Sequence, residues 1–132
     1  MKKILVITLL LALARSALGQ TSLSFCVEVQ KDGKCQSKSA EFTISNEGGT
    51  ISFQLWNNHG IGATKVAYRI YKLEDNGTET YSGTIEQQTE KNWTYAWQDV
   101  VFYDEGTYKV KVFDTSGEES LLCSSFVKIF NQ

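Results

Sequence analysis

The chain has no proline, one histidine and one methionine among its 132 residues. Without proline, no strand loses a ladder donor to an imide nitrogen, and no X–Pro step is present to adopt a cis bond. The lone histidine excludes sites built from several imidazoles. It also leaves a serine–histidine–carboxylate triad with a single candidate base, His59, which has no catalytic partner near it in sequence. The three cysteines, Cys26, Cys35 and Cys123, lack the paired spacing of a zinc site. Basic residues are scattered singly, so no nucleic-acid footprint is visible. Beyond its first 19 residues the chain carries no apolar run of the roughly 20 residues that a membrane-spanning helix requires. No window there shows a convincing helical period.

Lys2 and Lys3 lead into an apolar stretch over residues 4–14, and Ala17-Leu18-Gly19 sets small residues at the positions favoured by signal peptidase. This predicts a signal peptide over residues 1–19, of a kind that suits a bacterial source, and a single domain over residues 20–132. The domain is then exported to a periplasm or the cell exterior. Its 113 residues suffice for one two-layer core. It carries ten basic and fifteen acidic residues, a net charge of −5 that opposes anionic partners.

Export permits a disulfide. A two-residue turn at Asp32-Gly33 sets Cys35 opposite Gln30 and Cys26 opposite Ser39, too far apart to bond. Either the turn is wider, or a bridge involves Cys123, or all three thiols stay reduced with two as core fillers. The reduced state is the favoured reading.

Alternation of apolar and polar residues predicts strands over residues 23–29, 42–44, 51–56, 65–73, 81–85, 93–102, 108–113 and 121–130. The clusters Asn46-Glu47-Gly48-Gly49, Glu74-Asp75-Asn76-Gly77 and Asp114-Thr115-Ser116-Gly117 punctuate them. Short strands at regular intervals argue for an all-β sandwich or barrel.

One stretch says more. Asp104-Glu105-Gly106-Thr107-Tyr108-Lys109-Val110 follows one aromatic strand and opens another. Asp104 and Gly106 suit a corner between sheets. Tyr108 has a ring to bury and a hydroxyl to return to the backbone near Phe102 or Tyr103. Tyr95, Trp97 and Val100 precede this motif at the offsets of three apolar core positions in immunoglobulin-type domains, which the chain resembles over residues 95–110. The resemblance implies an all-β, two-sheet antiparallel immunoglobulin-like sandwich of about seven to nine strands. It implies Phe53 or Leu55 at one position of the family's inter-sheet cystine, Val110 at the other, and Tyr68 as a candidate for the core tryptophan. The cystine and the tryptophan are themselves missing. The resemblance carries architecture, not activity.

No constellation points to catalysis, a cofactor or a metal. Asp104-Glu105 and Glu118-Glu119 are adjacent pairs, and neighbours on a strand face opposite ways. Glu74-Asp75-Asn76 with Glu79 matches no complete calcium loop and reads as a hairpin turn. Asn76-Gly77-Thr78 and Asn92-Trp93-Thr94 fit the glycosylation acceptor pattern. Among the aromatics, Tyr95 and Trp97 read as core, whereas Trp56 and Trp93 stand near strand ends. Contacts to a partner are therefore expected from Trp56, Trp93 and the loop residues Asn57, Asn58 and His59. The expected role is non-enzymatic: protein binding, adhesion or structure, with carbohydrate binding through exposed tryptophans as the alternative. The partner is an unknown protein or glycan, not nucleic acid, and no integral membrane span is expected.

Overall fold

A computed structural model describes residues 20–132; the expected leader, residues 1–19, lies outside the described residues. Ten strands follow in order: β1 Ser22–Cys26, β2 Glu28–Val29, β3 Cys35–Gln36, β4 Glu41–Ile44, β5 Gly49–Trp56, β6 Lys65–Leu73, β7 Glu79–Gln88, β8 Tyr95–Phe102, β9 Gly106–Asp114 and β10 Ser120–Asn131. A three-stranded sheet runs β1-β5-β8 and a five-stranded sheet β4-β10-β9-β6-β7, while β2 and β3 form a hairpin of their own. This is the immunoglobulin-like sandwich. The count exceeds the expected seven to nine because the first predicted strand breaks at Val27 and resumes in the hairpin. The pairing is also not purely antiparallel. β4 lies parallel to β10, from Lys128↔Glu41 to Asn131↔Ile44, because the N-terminal segment gives one strand to each sheet.

The core lies between the sheets. Phe53 on β5 is central, with its ring 5.1 Å from Phe25, 6.2 Å from Tyr68 and 6.0 Å from Phe102. Tyr68 is fully buried. Its hydroxyl donates to Oε1 of Gln87 on β7 at 2.7 Å, which satisfies the one polar atom that the ring brings inside. Burial pushes its pKa well above the ordinary tyrosine value. Val110, where the resemblance sets a cysteine, is fully buried and held by packing alone.

At the corner, Tyr108 packs edge-on against Phe102 with ring centroids 4.9 Å apart. Its hydroxyl donates to the carbonyl of Asp104 at 2.8 Å. That acceptor lies one residue beyond the expected Phe102 or Tyr103: β8 ends at Phe102, Tyr103 swings out to solvent, and the carbonyl turned inward is that of Asp104. Gly106 makes the bend at φ 150°, and a Cβ there would come within 2.8 Å of Cε of Lys72.

The facing of β8 overturns one expectation. Ala96, Val100 and Phe102 point into the core, while Tyr95 and Trp97 point out. Of the three offsets quoted from the resemblance, only Val100 is core. Both faces of this strand carry large apolar residues, so alternation alone leaves its facing undecided. Pairing with β5 decides it by setting small Ala96 opposite buried Leu55, which puts Tyr95 opposite Trp56 and Trp97 opposite Gln54 on the other face.

Candidate functional site

The outer face of the three-stranded sheet is half covered and half open. The cover is the β2–β3 hairpin. Its loop has three residues, Lys31-Asp32-Gly33, closed by Gly33 N–H donating to Gln30 O at 2.8 Å and Gln30 N–H donating to Lys34 O at 2.9 Å. Gly33 takes φ 87°, the left-handed conformation that ends such loops. The wider loop shifts the register by one residue from a two-residue turn and sets Cys35 opposite Val29. Val27 bends out of line, 56% exposed. Together these bring the Cα atoms of Cys26 and Cys35 to 5.5 Å, and the two sulfurs are bonded. The reduced reading is thereby corrected: it followed from assuming the narrower turn and an unbroken first strand.

The hairpin lies across the sheet. Beneath it Cys26, Ser52 and Gln54 are buried although they point away from the sandwich core. Nε2 of Gln54 donates to the carbonyl of Gly33 at 2.5 Å, and Oγ of Ser52 donates to Oδ1 of Asp99 at 2.6 Å. The hydroxyl of Tyr95 donates to the carbonyl of Lys31 at 3.0 Å. Gly33 sits so close that a Cβ would stand 2.7 Å from the Tyr95 ring.

Beyond the hairpin the face is aromatic. Trp56, Tyr95 and Trp97 form a row of near-parallel rings, with centroids 6.4 Å and 6.0 Å apart and planes within 15° and 19°. Trp56 is 45% and Trp97 37% exposed. Trp93, 38% exposed, stands in the loop before β8 and donates its indole N–H to Oε2 of Glu90 at 3.1 Å. An open groove of about 550 Å³ is lined by Trp93, Tyr95 and Trp97 with Gln87, Asn92 and Thr94. Gln87 spans from β7 to β8: its Oε1 accepts from buried Tyr68, and its Nε2 donates to the carbonyl of Trp97 at 3.2 Å.

The loop after β5 supports this end of the molecule. Asn57 N–H donates to Thr94 O at 2.8 Å, Ile61 N–H to Trp93 O at 2.8 Å and Gly62 N–H to Lys91 O at 2.9 Å. Asn57 itself is only 4% exposed. Its Nδ2 donates to Oγ1 of Thr21 at 3.1 Å and its Oδ1 accepts from the backbone of His59 at 2.9 Å. Its side chain is spent on holding the loop, which corrects its expected place among the partner contacts. Asn58 and His59 are exposed at the loop tip. Thus Trp56 and Trp93 are surface groups, Asn57 is a brace, and Tyr95, Trp97 and Gln87 join the surface although sequence reasoning did not place them there. The β5–β8 register that sets Tyr95 opposite Trp56 puts them there, and no local sequence pattern contains it.

Elsewhere, Asn76 accepts from Thr78 N–H at 3.0 Å in the turn between β6 and β7. Among the described residues, no group of three His, Cys, Asp or Glu could hold a metal, and no helix is long and apolar enough to cross a membrane. Cys123 is a free thiol on β10 with its pKa pushed up to about 12 by burial, which leaves it a poor nucleophile.

No protein-family model and no curated protein matches the sequence. Solved structures do match the fold. An immunoglobulin-like protein from Pseudomonas aeruginosa superposes with a TM-score of 0.52 at 10% identity, over 85% of this chain and 94% of its own. The PmoD soluble domain from Methylocystis sp. superposes with a TM-score of 0.54 at 10% identity, over 84% of this chain and 91% of its own. At such identity the likeness establishes an immunoglobulin-like fold and no more.

Proposed function

We propose that this chain is an exported, non-catalytic binding domain whose working surface is the aromatic face around Trp56, Tyr95, Trp97 and Trp93, and that this surface takes a glycan. The observation that carries the reading is the row of near-parallel, half-exposed rings, left uncovered beside a groove that also holds amide and hydroxyl side chains. Flat apolar rings suit the C–H faces of a sugar, and Asn92 and Thr94 suit its hydroxyls. Export agrees with the leader-like residues 1–19 and with a disulfide, which persists in oxidising compartments.

The test is a glycan array with the processed protein beside its Trp97→Ala variant. The expected result is a hit weakened at least about tenfold in the variant, equivalent to about 1.4 kcal/mol, with a melting temperature lowered by no more than about 5 °C. An array without tryptophan-dependent hits sinks the glycan reading. A protein partner on the same surface is the second reading, since tryptophan and tyrosine also dominate protein interfaces. A Trp97-dependent pull-down from the native host, with a blank array, selects it.

A further inference from the structure

We propose that the Cys26–Cys35 disulfide positions the aromatic row: it clips the hairpin onto the sheet, and the hairpin tip sets Tyr95, the middle ring. The rings on either side take their register from Tyr95. The inference serves the binding reading above but stands on separate observations.

The first observation is placement. Cys26 points away from the sandwich core, opposite Ser52 on the outer side of the sheet. The bond therefore does not tie one sheet to the other, as a core cystine does. It ties β1 to β3, a strand of two residues with one pairing partner. A hairpin that short is marginal without a covalent tether or a packed face. The second observation is the contacts at the tip. Three groups of the loop meet the sheet: Lys31 O accepts from Tyr95, Gly33 O accepts from Gln54, and the Gly33 Cα lies against the Tyr95 ring with no room for a side chain. Gln54 is opposite Trp97 in register, and Tyr95 is opposite Trp56. Each tip contact thus falls on a residue directly paired with one of the row's two indoles. The third is what lies outside this arrangement. Trp93 is held by Glu90 and by the loop after β5, with no contact to the hairpin among those described.

The chain has only three tryptophans, so three indole N–H resonances report the whole device. In the doubly substituted Cys26→Ser/Cys35→Ser protein, the Trp56 and Trp97 indole resonances are expected to shift and broaden, while that of Trp93 and the dispersed core amides stay in place. Gly33→Val keeps the bond but drives the tip off the Tyr95 ring, and is expected to move the same two resonances. Dithiothreitol should reproduce the effect on the native protein by exchanging its two thiols for the cystine, itself becoming a cyclic disulfide. Reoxidation should restore the spectrum. Unchanged Trp56 and Trp97 resonances in both variants overturn the proposal, as does an equal shift of all three. Should the doubly substituted protein not fold, Gly33→Val alone decides.

The resonances need no ligand, so the outcome separates from that of the array. Selective shifts with a blank array leave the clip standing and remove the glycan reading. A tryptophan-dependent array hit that survives both variants at full strength removes the clip and leaves the binding face.

Discussion

The two outer faces of the sandwich treat their aromatic residues in opposite ways. On the five-stranded sheet, rings alternate with cations. Arg69 lies 4.4 Å above Phe113, Lys111 4.6 Å above Tyr71, Lys109 5.2 Å above Phe126 and Lys128 5.2 Å above Phe130. Carboxylates complete the network: Glu79 receives Lys111 at 2.9 Å and Lys109 at 3.6 Å, Glu86 receives Lys65 at 3.4 Å, and Glu119 accepts from both terminal nitrogens of Arg69, Nη1 and Nη2. On the three-stranded sheet, among the described residues, no cation lies over Trp56, Tyr95 or Trp97; Tyr95 stacks between the other two and also meets the hairpin tip. A ring under an ammonium or guanidinium already has an electrostatic partner on its face. The two end rings of the row, Trp56 and Trp97, each stack on Tyr95 from one side only and retain a face for something else. The comparison locates the one row of stacked rings without cations on the smaller sheet, although Tyr81 on β7, edge-on to Tyr71, is also exposed with no cation over it among the described residues.

The comparison breaks most completely if the shared core fails. Phe53→Ala removes the ring that joins Phe25, Tyr68 and Phe102, and should cost about 3–5 kcal/mol by denaturant unfolding, with both faces lost in one transition. Tyr108→Phe leaves the inward Asp104 carbonyl without its donor and should cost about 1–3 kcal/mol, again without preference for a face. A loss within about 0.5 kcal/mol, the range of neutral surface changes, would mean that the corner does not depend on this bond. Alkali probes the core from another direction. Unfolded Tyr68 ionises near pH 10, about the ordinary tyrosine value, whereas the folded state holds the proton to higher pH. Stability is therefore complete below that value and should decline as pH rises above it, with Tyr68→Phe flattening the decline.

Two smaller effects separate the faces. Trp97→Ala truncates a ring already partly in water and should cost no more than about 1 kcal/mol, while weakening any ligand of that face. A larger loss would make Trp97 framework. Mild acid should act on the other sheet. Hydrogen bonding by Lys111, with Lys109 beside it, holds Glu79 below its ordinary value, and the Arg69 hydrogen bond does the same for Glu119. Their contribution is present above the ordinary carboxylate range and is lost as pH falls through the lowered values. Tryptophan emission, which reports the smaller sheet, should change little across that window. A change there would show that the faces are coupled.

Much of the fold was legible because alternation is strong where one face is buried. Residues 65–73 were predicted as a strand from Val66, Tyr68 and Ile70, and β6 has those bounds. The corner was legible because glycine, aspartate and tyrosine each have a distinct local reason to be there. The site was harder to read. β8 has bulky residues on both faces, so its facing depended on Ala96 finding Leu55 across the sheet, a pairing that no local pattern contains. The disulfide turned on one residue of loop length, three where two were assumed, together with the bend at Val27. Asn57 had the composition of a contact residue and the burial of a brace. In each case a long-range neighbour settled what local chemistry left open.

The parallel pairing of β4 with β10 has a mechanical consequence. Lys128 N–H donates to Ala40 O at 2.8 Å and Gln132 N–H to Ile44 O at 3.1 Å, and β4 and β10 run in the same direction. A pull on residue 20 against residue 132 therefore drags these strands past one another along their length. Their rungs share the load in shear, where a hairpin pulled from its open end would unzip one rung at a time. The bridge from Cys26 to Cys35 shortens the slack between residue 20 and that junction, so tension reaches the shear patch over a shorter extension. A domain loaded between these two ends would be well built to stay folded under tension.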